Sequence, residues 1–227
     1  MSPNRQPDSS RSQTLDRGLT ALAIIATSET PLTIAEVATH LGLGRSVTYR
    51  MIRTLEDHRL VTRDASGRLT GGTQLVALAR GVRNDMQAAA APILLKLANF
   101  LGMTAFLVVS DSDEAVTVQV VEPTSTAAHV AYRPGTRHPL NRGAPGIALL
   151  AGDVPKTSER SEVTQARVSG WAYSEGEVIE GMASIAAPVT SADSAAVAIV
   201  HLAAGLDSIQ VAPRVVEAAR CLGAELA

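Results

Sequence analysis

The stretch that most constrains this chain covers residues 33–70, where two helical patterns, a glycine turn and a short hairpin follow one another. Thr33 and Glu36 have the T-x-x-E spacing of a capping box, in which each side chain pairs with the other residue's backbone amide and so begins a helix. Apolar residues then recur at helical spacing until Gly42 and Gly44 permit a sharp turn. The pattern predicts two helices that meet at a tight turn.

The second helix, over residues 45–58, is expected to bury one face and expose the other. Its apolar face has the spacing i, i+3, i+4 and i+7 and comprises Thr48, Met51, Ile52 and Leu55. Its polar face carries the candidate DNA contacts Arg45, Ser46, Tyr49, Arg50 and Arg53. Arginine can bind guanine with two hydrogen bonds or pair with phosphate, and hydroxyl groups can reach bases or backbone. Taken alone, this helix could also be an amphipathic helix with solvated arginines.

A minimal hairpin follows, with the turn Asp-Ala-Ser-Gly at residues 64–67. Arg63 and Arg68 flank its tip, where a wing would contact the DNA backbone. Between residues 45 and 68 the chain has six arginines against three acids, although its overall net charge is −2. These features together predict a winged helix-turn-helix that binds double-stranded operator DNA.

Composition narrows the class of protein further. The chain has 227 residues, is 46% hydrophobic and is long enough for two modest domains. It lacks both an export signal and an apolar run of the roughly 20 residues that a membrane helix needs. Its single cysteine, Cys221, excludes an internal disulfide. We therefore expect a cytoplasmic protein without membrane association and without a cofactor.

The domain organisation follows from changes in pattern along the chain. We expect a disordered tail at residues 1–12, a winged helix-turn-helix domain at 13–72, a linker helix at 73–91 and a second domain at 92–227. Pro92 suits the first turn of a new helix. Strands are predicted at residues 104–109, 115–121, 128–132, 182–189 and 195–203, with helices between and after them. The fold class is therefore α+β in two domains, the second built around an antiparallel sheet.

The sequence resembles the IclR family of transcriptional regulators over residues 15–226. The most specific parts are LGLGRSVTYRMIRTLE at residues 41–56, PLNRGAPGIALLA at 139–151 and GxxSIAAPV at 181–189. The resemblance implies a linker helix between the winged helix-turn-helix and a GAF-like effector-binding domain. It also implies a repressor or activator rather than an enzyme. Such a regulator would be a homodimer through its N-terminal half and would pair again into a homotetramer.

The resemblance also implies an effector pocket between the helix after Pro-Leu-Asn and the strands near the C-terminus. In the family, amides at that helix N-terminus hold small organic acids, because the helix dipole favours anions there. The positions that match the pocket are Leu140, Asn141, Ala144, Gly146, Ser174, Ser184 and His201. Pro145 lacks an N–H group, and Asn141 stands where the family usually has histidine. The expected effector is a small organic molecule, with organic acids and aromatic compounds both open.

Other functions were weighed against the same residues. An enzyme would need a nucleophile with a base, and Ser184 and His201 lack an orienting acid in a recognisable motif. A metal site would need ligand spacing that His129, His138 and His201 do not show. A winged helix that binds protein instead of DNA is a third interpretation, against which the arginine excess argues.

Overall fold

The computed structural model describes residues 12–125, 130, 132–190, 194–204 and 207–227. All of the predicted disordered tail except Ser12 therefore lies outside the described residues. The contacts divide the chain into two compact units between Val82 and Arg83. Within these ranges, no helix has both the length and the apolar character that crossing a bilayer requires.

The described part of the N-terminal unit, from Ser12 onward, contains four helices and a two-stranded sheet. In chain order they are α1 (Gln13–Thr27), α2 (Ile34–Leu41), α3 (Arg45–Asp57), β1 (Val61–Arg63), β2 (Leu69–Gly71) and α4 (Gln74–Ala79). The predicted capping box begins α2, since the Glu36 amide donates to the Thr33 hydroxyl at 3.2 Å and the Thr33 amide donates to the Glu36 carboxylate at 2.6 Å. Gly42 ends α2 in the left-handed conformation, as the glycine turn predicted.

The core of this unit joins the three first helices to the hairpin. Its fully buried members are Ala21, Ile25, Val37, Ile52, Leu55, Val61 and Leu69. Leu32 pairs with Leu69 through hydrogen bonds of 3.1 and 2.6 Å, which adds a third short segment to the hairpin. We expected the stripe Leu15, Leu19, Leu22 and Ala26 to form the apolar face of α1, but Leu15 is 61% exposed and Leu19 is 54% exposed.

The linker differs from the single helix expected at residues 73–91. Two helices are present there, α4 and then α5 (Asn84–Leu101), separated by Arg83 in the left-handed conformation. α5 continues through Pro92, which we expected near the start of a helix. Pro92 lies on the exposed side, so the hydrogen bond it cannot make faces solvent, while Leu94 and Leu97 on the other side pack into the core. This packing outweighs a cost of ~3 kcal/mol for proline in a helix interior.

The C-terminal unit is built on one antiparallel sheet of six strands. After α5 its elements are β3 (Thr104–Asp111), β4 (Glu114–Val121), β5 (Arg137–Pro139), α6 (Gly143–Gly152), α7 (Ser161–Ser169), β6 (Ala172–Glu175), β7 (Met182–Pro188), β8 (Ala195–Leu202) and α8 (Ser208–Glu225). The strand order is β5-β4-β3-β8-β7-β6. The predicted α+β fold with an antiparallel sheet is confirmed.

The two faces of this sheet carry different helices because side chains alternate along each strand. On β8, Val197 and Ile199 pack in one cluster with α5 and α8. Ala198 and Val200, on the opposite face, pack in a second cluster with α6 and α7. α6 thus lies directly on the sheet, and its residues Gly143–Leu149 are all buried.

One predicted strand is wrong where it can be checked. Of residues 128–132, only Val130 and Tyr132 are described, and neither lies in a strand. The edge of the sheet is formed instead by β5, in which His138 pairs with Ala115. The apolar run that suggested a strand contributes Tyr132 to the core, where its ring lies 4.7 Å from that of Phe106.

Candidate DNA-binding face and C-terminal pocket

α3 has the two faces that its spacing predicts. Thr48, Met51, Ile52 and Leu55 are buried. The polar side chains Arg45, Ser46, Tyr49, Arg50 and Arg53 are all exposed. Because the buried residues fix the helix against the rest of the unit, the polar side chains project from a rigid support.

Three arginines of this face have no partner among the described residues. Arg45, Arg50 and Arg53 make neither an ion pair nor a side-chain hydrogen bond within that part of the chain. Arg45, Ser46, Tyr49 and Arg50 also line an open hollow, together with Ile34 at the start of α2. Unpaired guanidinium groups beside hydroxyl groups can donate hydrogen bonds to phosphate or to guanine.

The two arginines of the hairpin are placed differently. The Arg63 Nε donates to the Glu56 carboxylate at 2.6 Å, which ties β1 to α3. The Arg68 Nη1 donates to the carbonyl of Pro31 at 3.0 Å and lies 3.6 Å from the Glu36 carboxylate. Both guanidinium groups therefore brace the hairpin against the helices, whereas we expected both to be directed at the DNA backbone.

The C-terminal unit has a small pocket between the start of α6 and the sheet. Its volume is about 30 Å³, against roughly 300–1,000 Å³ for typical sites of drug-sized ligands. The walls come from both elements and from the segment between β6 and β7: Phe106, Tyr132, His138, Pro145, Ser174, Glu177, Val178, Ile179, Met182, Ser184 and Val200. A larger organic ligand has to widen this space.

The sheet forms the floor of the pocket through residues that face each other on adjacent strands. Ser174 on β6 pairs with Ser184 on β7, which pairs with Val200 on β8. The Ser184 hydroxyl donates to the carbonyl of Ile199 at 2.7 Å. Two of the predicted effector residues, Ser174 and Ser184, are thus brought together in one row.

The first turn of α6 has its amides already engaged by side chains. The Gly143 amide donates to Oε2 of Glu177 at 2.7 Å, and the Ala144 amide donates to Oγ of Ser174 at 2.7 Å. Pro145 has no amide hydrogen to offer. The three first positions of the helix therefore present no free donor to a ligand.

Glu177 is held in this position from two sides. Arg160 donates from Nη2 to Oε1 at 3.1 Å and from Nη1 to Oε2 at 3.2 Å, while Arg142 donates to the Glu177 carbonyl. Arg160 also donates to the carbonyl of Asn141 at 2.6 Å. The pKa of Glu177 is lowered, chiefly by Arg160 and also by the Gly143 amide, against the opposing effect of burial. The carboxylate is therefore charged near neutral pH.

The other titratable groups of the pocket are uncharged near neutral pH. Burial lowers the pKa of His138 below its usual value and raises that of Tyr132. His138 is 6% exposed, and its Nδ1 lies 3.1 Å from the carbonyl of Pro139. The pocket lining thus consists of apolar groups, neutral polar groups and one carboxylate that is already paired.

The remaining predicted effector residues are not all at this pocket. His201 lies next to Val200 on β8, so its side chain is on the opposite face of the sheet, where Nδ1 is 2.9 Å from the Leu202 carbonyl. Asn141 is exposed and contributes its carbonyl to Arg160. Gly146 is required by packing, since a Cβ there would collide with the Leu140 carbonyl. Neither His201 nor Asn141 is among the residues that line this pocket.

The sequence reasoning missed Glu177, Arg160 and the aromatic and imidazole groups of Tyr132 and His138. Glu177 lies in a loop, and nothing in its local spacing indicates a contact with a helix 34 residues earlier. Within the described ranges, no three side chains of the metal-binding types lie close enough to hold an ion. His129 lies outside these ranges.

The fold and the α3 face define a class of protein, the winged helix-turn-helix proteins with a separate C-terminal α+β unit. The family is then given by sequence. Residues 14–65 match the IclR helix-turn-helix domain, and residues 81–161 match the bacterial transcriptional regulator IclR C-terminal domain. This chain belongs to the IclR family of transcriptional regulators.

Individual relatives agree with this assignment. The chain is 30% identical over 200 residues to the glycerol operon regulatory protein of Streptomyces griseus, covering 78% of each chain. An IclR transcriptional regulator from Alicyclobacillus acidocaldarius has the same fold, with a TM-score of 0.80 at 23% identity, over 96% of this chain and 100% of that one. An IclR homologue from Microbacterium hydrocarbonoxydans, solved in complex with 4-hydroxybenzoate, matches with a TM-score of 0.80 at 19% identity, over 94% and 99% of the two chains.

Proposed function

We propose that this protein binds operator DNA through the exposed face of α3 and that a small organic effector in the C-terminal pocket changes its affinity for that DNA. The observation that carries the proposal is the set of three exposed arginines on α3 that have no partner among the described residues. The expected contacts are Arg45, Ser46, Tyr49, Arg50 and Arg53, in the major groove and on the adjoining phosphates. Arg63 and Arg68 contribute by holding the wing in place beside this face.

The effector part of the proposal rests on the pocket under α6. Ser174 and Ser184 line it, the Ala144 amide donates to Ser174, and Leu140 packs in the cluster beside it. A homologue of the same fold was solved with 4-hydroxybenzoate, which supports a ligand of aromatic size for this unit. The coupling between ligand and DNA is expected to be ~1–3 kcal/mol, as in other allosteric proteins.

We further propose that the protein acts as a homodimer, and as a pair of dimers, in the cytoplasm. Large apolar side chains are exposed on α1 and α4: Leu15 at 61%, Leu19 at 54%, Val76 at 67% and Leu78 at 58%. Apolar surface of this kind favours association between chains. A dimer also suits a palindromic operator, because two-fold symmetry in the DNA is matched by two-fold symmetry in the protein.

The test is DNA binding by the wild type and by a double variant, Arg50→Ala with Arg53→Ala. A duplex is first selected from a random pool by the wild-type protein, and affinities are then measured by fluorescence anisotropy over a range of salt concentrations. The double variant should lose ~1–3 kcal/mol of binding free energy per arginine, and its salt dependence should become shallower.

The matched control is Arg220→Ala, which removes one exposed arginine from α8. It should bind the selected duplex like the wild type. Equal binding by the wild type and the double variant would show that α3 does not read DNA. Failure of the wild type to enrich any duplex would remove DNA binding altogether.

A further inference from the structure

We propose that the Glu177 carboxylate occupies the place at the N-terminus of α6 where a ligand carboxylate would otherwise bind. While Glu177 stays there, the pocket admits uncharged ligands and excludes carboxylates. The inference rests on the proposed effector function and names the chemical class of the ligand. It is drawn from the contacts of Glu177 together with the composition of the cavity wall.

Side chains of the protein itself already occupy the start of α6. A carboxylate entering this pocket would bind where the positive end of the α6 dipole and an amide donor coincide. Oε2 of Glu177 already takes that place, at 2.7 Å from the Gly143 amide, and Ser174 takes the Ala144 amide. With Pro145 next in the helix, a ligand carboxylate could gain an amide only by displacing one of these side chains.

The positive charge of Arg160 beside this position is already paired with carboxylates. Arg142 donates to the Glu177 carbonyl, and Arg160 has both terminal nitrogens bonded to the Glu177 carboxylate and is also paired with Glu162 at 2.9 Å. Its charge is therefore already matched by carboxylates. A ligand carboxylate would add a further negative charge to a partly buried site, which is costly without a matching cation.

The rest of the pocket wall combines apolar side chains with hydroxyl groups. Phe106, Ile179 and Met182 offer apolar surface, while Tyr132, Ser174 and Ser184 offer hydroxyl groups. Neutral aromatic or aliphatic molecules with a hydroxyl, amide or carbonyl group match this lining. Because Glu177 is itself an acceptor, a ligand with a hydrogen-bond donor fits better than one with a negative charge.

The decisive experiment is chemical rescue by acetate, which carries the same carboxylate group as the Glu177 side chain. Glu177→Ala should unfold at a lower temperature than the wild type, because it leaves the Gly143 amide and Arg160 without their partner. Millimolar acetate should restore part of this loss in Glu177→Ala, while acetamide at the same concentration should not. The wild type and the control Glu180→Ala, an exposed carboxylate of the same loop, should not respond to acetate. Equal responses to acetate in all three proteins would overturn the proposal.

A second variant covers the case in which Glu177→Ala does not fold. Glu177→Gln keeps the shape of the side chain and removes its charge. Binding of 4-hydroxybenzoate and 4-hydroxybenzamide is measured by calorimetry for the wild type and this variant. The preference for the amide should fall by about tenfold or more in Glu177→Gln, which corresponds to ~1.4 kcal/mol. An unchanged preference, or no binding of the acid by the variant, would contradict the proposal.

Neither measurement contains DNA. A failed rescue would therefore remove the role of Glu177 and leave the DNA-binding results as they stand. Conversely, if the wild type enriched no duplex, the acetate experiment would still test the role of Glu177. The two proposals are thus tested separately.

Discussion

Arginine has opposite roles in the two units of this protein. On α3, Arg45, Arg50 and Arg53 are exposed and have no partner within the described residues. In the C-terminal unit, Arg137, Arg160 and Arg167 each bind one or two carboxylates at 2.8–3.1 Å. The same side chain is therefore left available on α3 and used for internal contacts by these three residues of the C-terminal unit.

The difference shows why a count of basic residues does not locate a DNA-binding surface. A guanidinium group that is already bonded to a carboxylate must lose that contact before it can bind phosphate, and the loss offsets part of the gain. Within residues 45–68, this consideration separates Arg50 and Arg53 from Arg63 and Arg68, although all four are arginines of the basic stretch. An arginine can therefore bind DNA readily only if its guanidinium group is not already bonded to a carboxylate.

The comparison predicts that arginines of the C-terminal unit act on stability, and the largest loss of stability is expected on substitution of Arg167. Its Nη1 donates to the carbonyl of Ala151 at 2.7 Å and its Nη2 to that of Leu150 at 3.0 Å, so one side chain caps the end of α6. Arg167→Ala should lower the free energy of unfolding by ~1.5–3 kcal/mol, because hydrogen bonds from a charged donor are lost. Urea unfolding followed by circular dichroism measures this change.

DNA affinity of the folded Arg167→Ala protein should equal that of the wild type at a temperature well below unfolding. Arg220→Ala, the control on α8, should change stability by less than ~0.5 kcal/mol. If Arg167→Ala instead weakened DNA binding and left stability unchanged, arginines of the C-terminal unit would also have to be counted as able to bind DNA.

A smaller effect sharpens the comparison within the N-terminal unit. Arg63→Ala removes a partly exposed ion pair with Glu56 and should cost ~0.2–1 kcal/mol of stability. Its loss of DNA affinity should be smaller than that of Arg50→Ala. The companion variant Glu56→Gln frees Arg63 and should bind DNA as well as the wild type or better. An Arg63→Ala loss as large as that of Arg50→Ala would mean that Arg63 leaves Glu56 when DNA binds.

The smallest expected effect concerns acid. The pKa of Glu162 is lowered from 4.5 to about 2, first by its hydrogen bond with Arg160. A carboxylate with a lowered folded-state pKa contributes stability above its unfolded pKa and loses that contribution as pH falls through the folded value. The difference in stability between the wild type and Glu162→Gln should thus be largest above pH 4.5, decrease as the pH falls, and disappear by about pH 2. Thermal unfolding across this range measures it, with Glu180→Gln as control, and a difference that persists at the lowest pH would contradict it.

Local spacing was sufficient to predict the helix-turn-helix. The capping box of Thr33 and Glu36 and the buried face of α3 depend on contacts three to seven residues apart, which a sequence shows directly. The prediction failed on α1, where spacing identified Leu15 and Leu19 but packing buries Ala21 and Ile25. When a helix has apolar residues on more than one side, its spacing does not determine which side is buried; the packing of neighbouring elements does.

The pocket was predictable only in part, for a related reason. Ser174 and Ser184 were found through the family resemblance, and the paired strands bring them together. His201 was included with them, although it is one position beyond Val200 and a change of one position along a strand reverses the direction of the side chain. Glu177 and Arg160 are 17 residues apart and meet through loops, which have no periodicity to read.

The position of β8 has a consequence for how the protein is made. This strand, Ala195–Leu202, is the last in sequence but lies between β3 and β7 in the middle of the sheet. During synthesis β3 and β4 can pair early, yet the sheet stays in two halves until β8 has left the ribosome. Pairings between segments so far apart form slowly, whereas the N-terminal unit depends on local contacts and can fold first. A nascent chain would thus carry a folded N-terminal unit before the sheet of the C-terminal unit is complete.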